Sequence, residues 1–277
     1  LGFPYDVFGD KSLKVRGGSG LFSGRLPLVF FTNMPTNGGL VQYQAQINAA
    51  NAAKKNFSMD EFAGGPMTTI SQMLQKLESL GYPMTVTPAD GSVPSAICGV
   101  DPDFKMPQVW KTSVAVDYQL PVSFPFTATV EGIFNKTINA VCISDWSIPT
   151  VGGFSRFNGV DNRPIYPTGF RTGTKAFVLE NTSRGYGWSA NVTLNAQPTD
   201  WLSLMAAYTH TVNKEVTGMP GSAAESAFTY VPTSQGPNNI PLHNSQYVTP
   251  DRIVASATIH DKSGNHYSLI YESWRGG

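Results

Sequence analysis

Charge is scarce in this chain: only 14% of its 277 residues are Asp, Glu, Lys or Arg, against about 25% in a typical soluble protein. Its 19 basic and 19 acidic side chains cancel, which leaves no electrostatic footprint for nucleic acid. No apolar run approaches the roughly 18–20 residues of a membrane-spanning helix. The longest candidate, Leu26 to Phe31, is far shorter and contains Pro27. There are two cysteines and no CxxC spacing, so a cysteine-built metal site is excluded. The missing charge has not become oil, since the hydrophobic share is 41% and the mean hydropathy −0.15. Ser, Thr, Asn, Gln and Gly have taken its place. An aromatic content of 12% argues against disorder.

What is present is period-two alternation, the signature of strands with two unlike faces. Tyr186, Trp188, Ala190, Val192, Leu194 and Ala196 take one face, and Gly187, Ser189, Asn191, Thr193 and Asn195 the other. From Phe126, one side carries Phe126, Ala128, Val130, Gly132, Phe134, Ile138 and Ala140. The other carries Thr127, Thr129, Glu131, Asn135, Thr137 and Asn139, with Ile133 and Lys136 as exceptions. Weaker alternation covers 3–7, 13–21, 112–118, 202–212, 253–259 and 266–274. The pattern predicts about eight strands.

Connection lengths alternate as well. Short turn-rich segments at 8–11, 120–125, 197–200 and 261–265 are interleaved with long loops at about 23–107, 143–174 and 218–249. Tight turns at one end and long loops at the other are what an up-and-down outer-membrane barrel shows. The segments 126–141, 185–196 and 202–216 exceed the soluble norm of about 5–6 residues and reach the ~9–11 a crossing strand needs. The expected fold is therefore all-β, an antiparallel up-and-down transmembrane β-barrel. One long loop should hold a short helix: Met67, Ile70, Leu74 and Leu77 recur at helical spacing, with Pro66 as first-turn proline and Gly81 as the glycine after the C-cap. Packing of that helix on its own loop is preferred to a partner or cofactor role.

The chain opens Leu1-Gly2-Phe3-Pro4 without Met or a charged leader, and Trp274 to Gly277 fall inside a strand pattern. With the short turns periplasmic, both ends come to the extracellular rim. At roughly 35 residues per strand with loops, a 22-stranded plugged barrel needs on the order of 760 residues. About eight strands of such a barrel, roughly a third, is the expectation, with plug domain and TonB box outside the chain.

Several stretches resemble Oar-like TonB-dependent receptors of Bacteroidota. They are Leu13–Pro27 (LKVRGGSGLFSGRLP), Trp110–Pro121 (WKTSVAVDYQLP), Glu131–Phe134 with Asn139–Val141, and Leu179–Thr182 with Gly185-Tyr186. Leu204–Thr209, Gly236–Asn239 (GPNN) and Pro250–Ser256 (PDRIVAS) follow in collinear order. The resemblance covers nearly all of the chain except the loop 43–103. It implies an outer-membrane transporter with a plug in the barrel, energised by TonB, whose partners are membrane lipid, the plug, the TonB complex and a small-molecule, glycan or peptide ligand. A non-energised barrel (porin, adhesin or surface anchor) is the first alternative, and a soluble glycan-binding β-protein the second.

Candidate residues follow from this frame. Lys14, Arg16, Asp117, Glu131, Asn135, Asn191 and Asn195 are expected in the lumen, contacting plug or substrate. Loop aromatics Phe154, Phe157, Tyr166 and Phe170 are candidate ligand contacts. Trp110, Tyr118, Phe124, Phe126, Trp146 and Trp201 are expected in two interfacial girdles. Cys98 and Cys142 both fall on the long-loop side, where an oxidising compartment favours a disulfide; two separate thiols are the alternative. Sequons at Asn56, Asn135, Asn181 and Asn191 are read as hydrogen-bonding asparagines rather than glycosylation sites. Asp101-Pro102-Asp103 reads as a proline turn, because the alternating acidic loop of a calcium site is missing. The four histidines, His210, His243, His260 and His266, form no metal-binding spacing, and Gly17–Gly20 lies in a strand, not before a helix as a phosphate cradle requires. No catalytic constellation is present, so no enzyme, metal or cofactor is expected.

Overall fold

The computed structural model describes residues 1–43, 48–55, 57–61, 69–149, 154–160, 162–169, 173–232 and 234–276. In chain order the strands are β1 (Gly2–Asp6), β2 (Leu13–Ser23), β3 (Ala96–Val100), β4 (Gln108–Gln119), β5 (Phe126–Asp145), β6 (Ser155–Arg156) and β7 (Pro164–Ile165). After them come β8 (Lys175–Thr182), β9 (Tyr186–Thr199), β10 (Leu202–Glu215), β11 (His243–Asn244), β12 (Asp251–His260) and β13 (His266–Arg275). Helices α1 (Val29–Thr36), α2 (Ala49–Lys54), α3 (Ile70–Ser79) and α4 (Ala224–Thr229) lie in the long loops.

The eight expected strands form one antiparallel sheet in the order β1-β2-β4-β5-β9-β10-β12-β13. It is an open sheet; among the described residues nothing pairs β1 with β13. Register places Tyr5, Val15, Val116, Val130, Val192, Tyr208 and Ile253 side by side across seven strands. Val130 is 54% exposed and Ile253 47%. Offset by one residue, Arg16, Ala115, Glu131, Asn191, Thr209, Arg252 and Trp274 make a rung on the opposite face. A soluble sheet would cover the valine rung with a second layer. Here it is bare.

Two details of the alternation have structural causes. The ring of Phe3 lies against Gly17, where a Cβ would come within 3.1 Å of it and within 2.9 Å of the Ser113 carbonyl. Lys136, charged on the apolar side, donates from Nζ to the carbonyls of Ser183 and Gly185 at 2.9 and 3.1 Å. Those carbonyls lie in a break between β8 and β9, which otherwise form one line along β5 in unchanged register, from Phe126↔Ala196 to Asp145↔Phe177.

The conventional hydrophobic core sits past that break. On β5 the residues in step with Glu131 and Asn135 become Val141 and Ile143, both buried. They pack with Leu26, Phe30, Ile148, Phe177, Leu179, Ala224, Ala227 and Phe228. All three long loops thus contribute to one layer, with β3 added parallel to β8 and Phe177 and Phe228 rings 5.3 Å apart. Asp145, fully buried, accepts from the backbone of Ser147 (3.0 Å) and Ala176 (3.0 Å) and from Ser147 Oγ (2.6 Å). Its own backbone N–H and C=O are held by the Asn238 amide at 2.9 and 2.8 Å. This bidentate clasp gives the Gly-Pro-Asn-Asn segment its structural role.

The short turns are built as expected, with Gly9, Lys11 and Gly264 at positive φ and the Asp6 carboxylate accepting from the backbone of Gly9 and Lys11. Several loop expectations need correcting. Helix α3 begins after Thr69, whose hydroxyl and Gln72 form a reciprocal cap; Pro66 and Met67 lie outside the described residues. Its C-terminus follows the reading, with Gly81 at φ +82° and the Tyr82 N–H reaching the Leu77 carbonyl at 3.0 Å. The helix touches its own loop through Lys76, which pairs with Glu61 at 3.1 Å and lies over the Phe57 ring, although none of its residues is buried and Ile70 is 75% exposed. Strand β3 lies within a segment read as loop, and β8 follows the loop 143–174 as a strand the alternation did not mark, because their sequences lack polar–apolar alternation.

Candidate functional site

The bare valine rung belongs to an apolar band bounded by aromatics. At the short-turn end, Phe124 and Phe126 stack at 6.1 Å, beside exposed Tyr118 and Trp201. At the other edge Trp110 meets Phe134 edge-on at 6.0 Å. Near it Asp251 gathers Tyr208 Oη (2.7 Å), His210 Nδ1 (2.7 Å) and Arg275 (2.6 Å), a polar cluster where the band ends. Nine residues of β5, Phe126 to Phe134, span the band, about 26 Å along the strand, and tilted strands need 9–11 to cross a bilayer. Trp146 is a correction to the girdle reading. It follows the end of β5, twelve residues past Phe134 and roughly 40 Å farther along the chain direction, with Nε1 bonded to the Glu180 carboxylate.

The seven residues expected in the lumen all share the polar face, in four separate places. Arg16 donates to Asp117 (3.0 Å) and lies 3.5 Å from Glu131, Thr129 donates to Asp117 at 2.8 Å, and Lys14 is in register beside Asp117. Asn191 is engaged by Thr209 and Thr193, while Asn195 lies near the short-turn end, beside Thr127. Asn135 alone enters the principal cleft.

That cleft has a volume of about 860 Å³ and lies on the polar face toward the long loops. Its floor is the register row Lys111–Asn135–Gly187–Asn213. Thr209, Thr211, Arg252, Glu272 and Trp274 form the side toward β13, and the loop from Ser245 to Thr249 forms the rim. The Ser245 N–H is tied to the Asn213 carbonyl at 2.9 Å, which pins that rim. Arg252 and Glu272 neutralise each other at 2.6 Å. Sequence reasoning missed Asn213, Tyr247 and Trp274. For Asn213 and Trp274 the signal was present in the period-two steps from Thr209 and Glu272, but only pairing register assigns those steps to one face.

The loop aromatics divide differently from expectation. Phe154 and Tyr166 pack on each other with centroids 5.0 Å apart, and Tyr166 leans on the loop core. Phe157 is 59% exposed, with the Arg163 guanidinium 5.6 Å over its ring. Phe170 lies outside the described residues.

Cys98 and Cys142 are free thiols, which corrects the disulfide reading. They sit on β3 and β5 with β8 between them. That places their Cα atoms about 10 Å apart laterally, beyond the roughly 7 Å a disulfide tolerates. Burial, reinforced by the Glu180 carboxylate, pushes the Cys142 thiol up to about 11. Because the thiolate is the reactive form, Cys142 in the folded chain is expected to resist iodoacetamide at pH 8 and to react once unfolded. Equal rates in both states would show the thiol is not held this way. The linked effect on stability has a definite sign. The folded state keeps a proton that the unfolded chain releases above the ordinary value of 9.0, so this contribution is intact below pH 9 and is lost as pH rises toward 11.

Asn181 accepts from the Lys105 backbone and donates to the Lys105 and Ala140 carbonyls, a structural role for that sequon; Asn56 lies outside the described residues. Asp101 caps its own turn through the Asp103 N–H. His260 and His266 face each other at 2.6 Å across the last hairpin. Among the described residues no group of three or more His, Cys, Asp or Glu could hold a metal ion.

In comparison with known proteins, the family model described as an outer membrane beta barrel domain matches residues 1–267. No curated protein and no solved structure matches the chain.

Proposed function

Because the chain belongs to the outer membrane β-barrel domain family and is an outer-membrane protein, we propose that it is part of a TonB-dependent receptor that captures a solute at the cell surface and passes it inward. The observation that carries this reading is the cleft on the polar face, set behind a sheet whose other face is a bare apolar band. Such a sheet separates lipid from a water-filled interior. The ordered resemblance to Oar-like receptors supports the TonB-dependent and Bacteroidota assignment. It leaves the chain a binding and transport component rather than an enzyme.

The free edges of β1 and β13 support reading the sheet as part of a larger barrel. Backbone groups left unpaired in hydrocarbon cost several kcal/mol each, so both edges need covering, and in this reading further strands of the larger barrel do it. In this reading the Arg16–Asp117–Glu131 group faces a plug domain and the cleft takes the solute.

The test uses the intact polypeptide that carries this chain, extracted from outer membranes in detergent. It is expected to migrate faster in gel electrophoresis before boiling than after, and to be retained on the immobilised periplasmic part of TonB. Heat-modifiable migration without retention would leave a non-energised barrel and overturn the TonB reading.

A further inference from the structure

The cleft also carries information about what it takes. Its floor holds two amides, Asn135 and Asn213, on either side of Gly187 in one register row. A Cβ on Gly187 would lie 2.7 Å from Asn135 Nδ2 and 2.8 Å from Asn213 Oδ1, so both amides lean over the glycine. Neither side chain has a hydrogen-bond partner among the described residues, in contrast to Asn181, Asn191 and Asn238. Both amides are half-buried and open into the cleft, so each keeps a donor and an acceptor free for an incoming ligand in place of water.

The charge pattern narrows the class. Arg252 and Glu272 cancel within the wall, and Lys111 has its Nζ directed over the Phe22 ring at 5.9 Å. An anion would find one partly occupied cation, and a cation would find no free carboxylate. The remaining polar groups are hydroxyls and amides, and Trp274 and Tyr247 offer aromatic faces that are 63% and 69% exposed. An amide presents a donor and an acceptor side by side, which matches vicinal hydroxyls, and an aromatic ring covers the C–H face of a sugar.

We propose that the cleft binds a neutral oligosaccharide, with Asn135 and Asn213 bonded to ring hydroxyls and Trp274 stacked on a sugar face. The proposal rests on the reading of the polar face as a solute path. A peptide is the competing occupant, and it fits less well because Arg252 and Glu272 cancel and only Lys111, placed over Phe22, remains to meet a charged terminus.

Isothermal titration of the intact polypeptide in detergent tests the assignment, with maltotetraose, cellotetraose and mannotetraose as neutral probes, tetragalacturonate as the anionic one and tetra-alanine as the peptide. At least one neutral tetrasaccharide is expected to bind with a Kd below about 1 mM. Asn213→Leu, and Gly187→Val, which fills the space between the amides, are each expected to weaken it about tenfold or more. Trp274→Ala, on an exposed strand, does the same and carries the test should the floor variants fail to assemble. No binding by any neutral probe, tighter binding of tetragalacturonate or tetra-alanine, or binding indifferent to these substitutions would each overturn the assignment. Heat-modifiable migration of the same preparation is read separately: a well-assembled barrel that binds none of the neutral sugars refutes the ligand and leaves the barrel standing.

Discussion

Replacing Asp145 with alanine is expected to unlock the layer built by the long loops, at a cost of about 3–5 kcal/mol. The carboxylate is fully buried and satisfies two backbone N–H groups, of Ser147 and Ala176, and the Ser147 hydroxyl. Alanine removes the acceptor and leaves the partly buried Ser147 and Ala176 N–H groups without it, each costing about 1–3 kcal/mol. The same residue's backbone carries the Asn238 clasp, so displacement there also frees the third long loop. Asp145→Asn keeps one side-chain oxygen and is expected to cost less, about 1–2 kcal/mol. Hydrogen exchange at β3 and β8 measures the effect: faster exchange there, with β9, β10 and β12 still protected, is the expected result. Unchanged protection of β8 in the alanine variant would show that the carboxylate does not hold the layer.

Val130→Arg is the second large effect, and it distinguishes a membrane wall from an exposed sheet. Val130 lies at mid-height in the apolar band, between Val116 and Val192. In lipid an arginine at the midplane of a barrel wall costs about 2–4 kcal/mol, enough to reduce assembly into the outer membrane. Asn195→Arg, on the polar face, places the same charge in water and is expected to assemble normally. In a sheet bathed by water the order would differ, because Val130 is already half exposed and charging it would be close to neutral. Assembly is read from the heat-modifiable band in isolated outer membranes. Equal assembly of both variants would be incompatible with lipid on the valine face.

Much of this was legible from residues alone. Alternation located all eight long strands within a few residues, because a membrane wall demands that every second side chain avoid charge along the whole crossing. The apparent exceptions were informative too. Lys136 breaks the pattern because it serves the strand break at Ser183–Gly185, and the glycine at Gly17 leaves room for the Phe3 ring. Where the chain leaves the wall the rule stops applying. Strand β8 reads Lys-Ala-Phe-Val-Leu-Glu-Asn-Thr, with Phe177, Val178 and Leu179 buried in succession. A buried run of that kind has no period to detect.

The misplaced residues fail for one reason. Trp146 was expected in a girdle, and a Cys98–Cys142 bond was set beside two separate thiols, from their order along the chain. The structure inserts β8 between the two thiols and carries β5 roughly ten residues past the aromatic edge. Separation along a chain does not report which strand lies between two residues, nor how far a strand continues beyond a boundary.

The amino-acid sequence by itself determined the wall: strand number, which residues face together on each strand, the turn chemistry, and the absence of charge from one side. These are local consequences of a two-residue period and of turn residues. Only the tertiary structure decided what the long loops build and where a ligand fits. Asn135, Asn213, Arg252 and Trp274 come from four strands, and Asp145 and Asn238 are 93 residues apart. Each meeting depends on pairing register, which is set by many contacts at once and by no single stretch of chain.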